Sequence, residues 1–95
     1  MRCLIIYDIA DDRRRRQIAR ILEAAGVRVQ MSAFELEIDP GELNEVMRTL
    51  RRRISDVEDR IVCVPLSKAQ MDHVQWLGAG PLERLPDRKP DFYLL

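Results

Sequence analysis

Val27-Arg28-Val29-Gln30-Met31-Ser32-Ala33-Phe34-Glu35-Leu36-Glu37-Ile38 is the stretch that decides the fold. Val27, Val29 and Met31 fall on odd numbers, whereas Phe34, Leu36 and Ile38 fall on even ones. Strand side chains alternate between two faces, so the change of phase marks a turn or a bulge near Ser32-Ala33. It reads as two strands, with one long bulged strand as the alternative. On the N-terminal side, Ile18, Ile21, Leu22 and Ala25 recur at i, i+3, i+4 and i+7, the stripe of a helix over about residues 12–25. Gly26 then stands where a left-handed residue closes a helix. Further back, residues 3–7 are continuously apolar, as in a strand covered on both faces. On the C-terminal side, Asp39-Pro40 reads as an N-cap followed by proline at the first helical position. Leu43, Val46, Met47, Leu50 and Ile54 carry that helix to about residue 53. Residues 60–66 are a second apolar strand, closed by Pro65. Beyond them the pattern weakens: a helical turn over 67–75, a short strand over 74–77, and a Gly/Pro-rich tail ending in Phe92-Tyr93-Leu94-Leu95.

The order β-α-β-β-α-β with an extension predicts an α+β, ferredoxin-like sandwich with an additional C-terminal strand. Right-handed crossovers place both helices on one face of a four-stranded antiparallel sheet, with strands one and four expected in its interior. Those two strands are apolar on both faces, so the uncovered face needs a cover. A sheet-to-sheet homodimer supplies it. Residues 1–80 form the domain. The tail, 81–95, is expected to pack on the partner subunit as an added strand, or else to be disordered.

Ninety-five residues and 11.1 kDa leave no room for a separate cofactor module. At 46% hydrophobic and 34% charged, the composition is globular. A chain this short hides only roughly 60–68% of its unfolded surface, another reason to expect a partner subunit. Sixteen Lys+Arg balance sixteen Asp+Glu, so any attraction to nucleic acid must come from local segregation of charge. All the basic residues except Lys68 and Lys89 are arginine, through compositional bias or because planar forks suit phosphate. Cys3 and Cys63 form no framework and read as buried free thiols of a reducing compartment. The apolar opening is too short for a secretory signal or membrane span, so a cytoplasmic protein is predicted.

Two features suggest chemistry. Asp8 closes the first strand, either as a turn residue or as a metal ligand. One carboxylate is a poor Mg²⁺ site, but a dimer axis near the strand end would bring two copies together to hold Mg²⁺, or Mn²⁺, against a phosphodiester. Asp11 and Asp12 read as helix caps. Arg13, Arg14, Arg15 and Arg16, with Arg20 beyond, load a helix N-terminus with cations that its dipole opposes by up to about 1 kcal/mol each. Ion pairs with Asp11, Asp12 or Glu23 would offset part of that. The run is a solvated face or a phosphate-tracking patch. Arg48 and Arg51-Arg52-Arg53 sit where a helix dipole favours them and need no function. Arg28 lies on the second strand, and Phe34 is either core or the rim of a nucleotide site. One histidine, His73, with no cysteine cluster and no HExxH motif, argues against a zinc site; no glycine-rich phosphate loop is present, and Ser32, Ser55 and Ser67 lack a histidine partner.

Tyr7-Asp8-Ile9, Asp11-Asp12 with the arginine-rich helix start, Gly26-Val27-Arg28-Val29-Gln30, Ser32 and Phe34-Glu35 together resemble the CRISPR-associated endoribonuclease of the adaptation module, the Cas two family. Val64-Pro65-Leu66 and Leu77-Gly78 fit its fourth and fifth strands. The resemblance spans about residues 1–80. It implies a ferredoxin-like homodimer, a metal-dependent nuclease on single-stranded RNA or DNA, and a central subunit bridging the CRISPR integrase that inserts new spacers. By position it implies Asp8 as the shared Mg²⁺ ligand and Arg15, Arg28 and Phe34 as active-site residues. Gln17 stands where some members carry a further arginine, leaving Arg14 or Arg16 to supply that charge.

Three readings compete with the nuclease. A non-catalytic scaffold for captured DNA would need the arginine surfaces rather than Asp8. A toxin-like ribonuclease of the same fold would act outside CRISPR, without an adjacent integrase and repeat array. A metabolite-binding regulatory module would show a ligand cleft and no affinity for nucleic acid.

Overall fold

The phase change at Ser32-Ala33 is a turn. Met31 and Ser32 connect β2 (Val27–Gln30) to β3 (Ala33–Glu37) in an antiparallel hairpin. A bulge is present as well: Val27 opposes Glu35 and Arg28 opposes Phe34, but Gln30 opposes Ala33. In this computed structural model, which describes residues 1–83, the other elements are β1 (Arg2–Asp8), α1 (Asp12–Ala25), α2 (Pro40–Arg51), β4 (Arg60–Leu66) and α3 (Lys68–Asp72). The caps follow the sequence. Asp11 accepts from the Arg14 N–H, Asp39 accepts from the Gly41 N–H with Pro40 opening the helix, and Ser67 forms a capping box with Gln70.

Gly26 is needed for a different reason from the one its position suggests. Its φ of −166° is extended rather than left-handed. A Cβ there would sit 2.3 Å from the Glu35 carbonyl oxygen and 2.8 Å from Leu36 Cδ1. The end of α1 passes so close to β3 that no side chain fits.

The strands pair antiparallel in the order β2-β3-β1-β4. This corrects the expectation that strands one and four share the interior: β1 and β3 are interior, and β4 is an edge. The α1 crossover leaves one strand's width between β1 and β2, and the hairpin turns β3 back into that slot. The next crossover, through α2, can then only reach the far side of β1.

Cys3, Ile5 and Tyr7 of β1 and Phe34 and Leu36 of β3 pack against Ile18 and Leu22 of α1 and Leu43 and Leu50 of α2. Each of the Ile, Leu and Phe side chains contributes about 1.5–3 kcal/mol on burial, which fixes both helices to one face. On the helix-free face the rungs Leu4–Val64 and Ile6–Val62 lie side by side. There Ile6 is 41% and Val62 50% exposed. After α3, whose Met71 is buried, the chain returns to β2, where the Leu82 N–H donates to the Val29 carbonyl at 2.9 Å. Residues 74–77 form no strand, contrary to expectation, and Leu77 is almost fully exposed. Most of the predicted tail, 84–95, lies outside the described residues. Of the two free thiols only Cys3 is fully buried, Cys63 being half-buried. Burial, reinforced by the neighbouring Cys63, pushes the Cys3 thiol up to about 12. Among the described residues no helix is long and apolar enough to cross a membrane.

Candidate nucleic-acid site at the end of the first strand

Asp8 is the last residue of β1 and is exposed. The strand carries it there with its face already chosen: Tyr7 points into the core, so Asp8 points out. The next turn is held by a buried carboxylate that has no counterpart among the sequence expectations. Asp59 Oδ1 accepts from the Ala10 N–H at 3.0 Å, and its Oδ2 accepts from the Ser55 N–H and from Arg14 Nε, both at 2.8 Å. Arg14 Nη2 also reaches Glu58 at 3.1 Å. The Asp59 side chain is fully removed from solvent. The Arg14 guanidinium, helped by the Ser55 and Ala10 N–H groups, holds its carboxyl well below the usual carboxylate range, against the opposing effect of burial. The loop after Asp8 and the approach to β4 are thereby one unit.

The arginine run therefore divides. Arg14 is committed to Asp59 and Glu58, not to the Asp11, Asp12 or Glu23 partners expected for the run. Arg15 does use Asp12, through Nη1 at 2.6 Å, while its Nε and Nη2 donate to the Ile9 carbonyl at 3.3 and 3.0 Å. This docks an exposed guanidinium on the residue that follows Asp8. Arg13, Arg16 and Arg20 are exposed and make no side-chain ion pair with a described residue. Glu23 pairs instead with Arg28, at 3.6 Å.

Tyr7, Phe34 and Arg28 form a stacked row. The Tyr7 and Phe34 ring centroids are 6.3 Å apart, and the Arg28 guanidinium carbon sits 5.1 Å from the Phe34 centroid. The Tyr7 hydroxyl donates to the Met31 carbonyl at 3.2 Å, tying the row to the β2–β3 turn. Phe34 is wholly buried. It presents no face to a nucleotide; it supports Arg28, whose Nε is buried without a hydrogen-bond partner. His73 is the exposed C-cap of α3 and takes no part.

A hard divalent cation takes carboxylate oxygens and water, and Asp8 offers an exposed carboxylate free of any ion pair with a described residue. The donor chemistry fits, but one copy supplies a single ligand. Among the described residues there is no group of three or more His, Cys, Asp or Glu positioned to hold a metal.

The signal that could have revealed Asp59 was the unexplained excess of cation on the first turn of α1, which requires a buried or distant anion. The acidic Asp56-Val57-Glu58-Asp59 stretch before an apolar strand is the natural source.

The family model of CRISPR associated protein Cas2 matches residues 1–74. The CRISPR-associated endoribonuclease Cas2 3 of Synechocystis sp. is 40% identical over 83 residues, 87% of this chain and 90% of that protein. The CRISPR-associated endonuclease Cas2 2 of Thermus thermophilus is 37% identical over 81 residues, 85% of this chain and 86% of its own length. Among solved structures, Streptococcus pyogenes Cas2 superposes with a TM-score of 0.75 at 30% identity, covering 82% of this chain and all of that one. The match to the family model takes in every element from β1 to α3, and on that ground the chain belongs to the CRISPR associated protein Cas2 family.

Proposed function

We propose that the chain is a cytoplasmic, metal-dependent endonuclease that hydrolyses phosphodiester bonds in single-stranded RNA, DNA or both, and a subunit of the integrase complex that acquires CRISPR spacers. It works as a ferredoxin-like homodimer joined through the helix-free sheet face. The observation that carries this reading is Asp8, an exposed carboxylate at the end of an interior strand with no described ion-pair partner. The endoribonuclease and endonuclease named above are its relatives and support the same chemistry. Two copies of Asp8 would hold Mg²⁺ or Mn²⁺, which when bound polarises a phosphodiester and lowers the pKa of its water. Arg15, braced on the Ile9 carbonyl and Asp12, presents its guanidinium to the substrate phosphate. Arg28 does the same from β2, with Phe34 as its positioning residue.

Asp8→Ala tests the reading, with RNA cleavage in Mg²⁺ and spacer acquisition measured on the same protein. Loss of cleavage is expected. If neither readout changes, Asp8 leaves the account. A second reading, that of a scaffold for captured DNA, is favoured by the exposed Arg13, Arg16 and Arg20 and predicts intact acquisition in the Asp8 variant.

A further inference from the structure

Asp8 has a cross-strand partner, and it is Arg60. The two residues form the last rung of the β1–β4 ladder. Directly opposed residues of an antiparallel pair project to the same face with Cβ atoms about 4.5–5.5 Å apart, so a carboxylate and a guanidinium leave one end of the sheet together. Both are exposed. Two arginines of the helix start that follows Asp8 are engaged: Arg14 by Asp59 and Glu58, Arg15 by Asp12 and the Ile9 carbonyl. Arg60 makes no side-chain hydrogen bond or ion pair with a described residue, even though it faces an aspartate. Its backbone, by contrast, is fixed by the preceding residue, because Asp59 is bonded to Ala10, Ser55 and Arg14. A guanidinium on a fixed backbone, unpaired beside a carboxylate, is not accounted for by stability. A closed cross-strand ion pair would contribute about 0.2–1 kcal/mol, and this one is open.

We propose that Arg60 is a catalytic residue that contacts the non-bridging oxygens of the phosphate bound at Asp8. The inference rests on the nuclease reading above. A planar fork matches a phosphate with two parallel N–H···O bonds. Two such forks in a homodimer would also lessen the repulsion between two copies of Asp8.

The test uses the full chain and an end-labelled single-stranded RNA, with Arg60→Gln and Arg60→Lys compared with the unaltered protein. Cleavage is followed in Mg²⁺. Binding is followed against salt in EDTA, in an Asp8→Asn background that separates it from cleavage. Arg60→Gln should lower cleavage by at least about tenfold. It should also reduce the slope of log affinity against log salt by about 0.7 for each phosphate left without its cation. Arg60→Lys should restore the slope but not the cleavage, because it keeps the charge and loses the fork. Unchanged cleavage and slope in Arg60→Gln overturn the inference. So does lost cleavage with an unchanged slope, which would make Arg60 a positioning residue for Asp8. If Asp8→Asn cleaves normally, the metal reading fails while the slope still decides Arg60. If the protein binds neither this RNA nor duplex DNA, both readings fall.

Discussion

Arg14 Nε donates to Asp59 Oδ2 at 2.8 Å, joining positions 45 residues apart, the first turn of α1 and the residue before β4. That bond explains why four consecutive arginines can open a helix. One of them neutralises a buried carboxylate, which in turn holds the backbone on both sides of the site. Three other arginines of α1 are exposed and unpaired among the described residues: Arg13, Arg16 and Arg20 recur at i, i+3 and i+7, a single stripe about 10 Å long.

The stripe and the brace should separate by mutation. Replacing Arg13, Arg16 and Arg20 with Gln is expected to weaken duplex DNA binding and lower its salt slope by about 0.9 for each phosphate no longer neutralised, with the melting temperature little changed. Arg14→Gln should lower the melting temperature by several degrees, because it leaves the buried Asp59 without its cation. Parallel salt titrations and thermal melts decide this; equal effects of both changes on binding would mean the run acts as one patch.

Acid should act through Asp59. Its carboxyl lies below the usual range in the folded chain, so its stabilising contribution is complete above the unfolded value of about 3.9. It is lost progressively as pH falls below that value toward the lower folded one. Melting temperatures between neutral pH and strong acid should show Asp59→Asn well below the unaltered protein at neutrality and the gap closing in acid. A constant gap would assign the acid response to other carboxylates.

Gly26→Ala adds a methyl group where the Glu35 carbonyl oxygen stands 2.3 Å away. Either the end of α1 or β3 must shift. The expected cost is about 1–3 kcal/mol, measured by urea unfolding with an unchanged m-value. A neutral or stabilising result would show that helix and strand can separate freely there.

Self-association should depend on the helix-free face. Ile6→Lys combined with Val62→Lys places two charges on the apolar rung that both residues share, and is expected to convert a dimer to a monomer in sedimentation while the far-UV circular dichroism stays native. A dimer that survives the double change would have its interface elsewhere, and a shared Asp8 site would lose its basis.

Much of the molecule could be read locally. The phase change gave the β2–β3 hairpin, Asp11 and Asp39 marked the helix starts, the i, i+3, i+4 stripe gave α1 over 12–25, and the apolar run gave β4 over 60–66. Each of these signals lies within a few residues of what it specifies, because side-chain direction and capping are set by the nearest turn of backbone. Asp8 was legible for the same reason: it follows an apolar run and must emerge at the strand's end.

Tertiary structure alone settled which strands are neighbours, why Gly26 carries no side chain, and that Arg14 and Arg60 stand in different surroundings. Those facts depend on groups brought together from distant parts of the chain. Strand pairing and burial choose such partners through the summed packing of the whole core, and no local pattern records that sum. Where charge leaves each element was a local matter, written in the order of the residues. That Asp59 takes Arg14, and that Arg60 stands opposite Asp8, was decided by the fold.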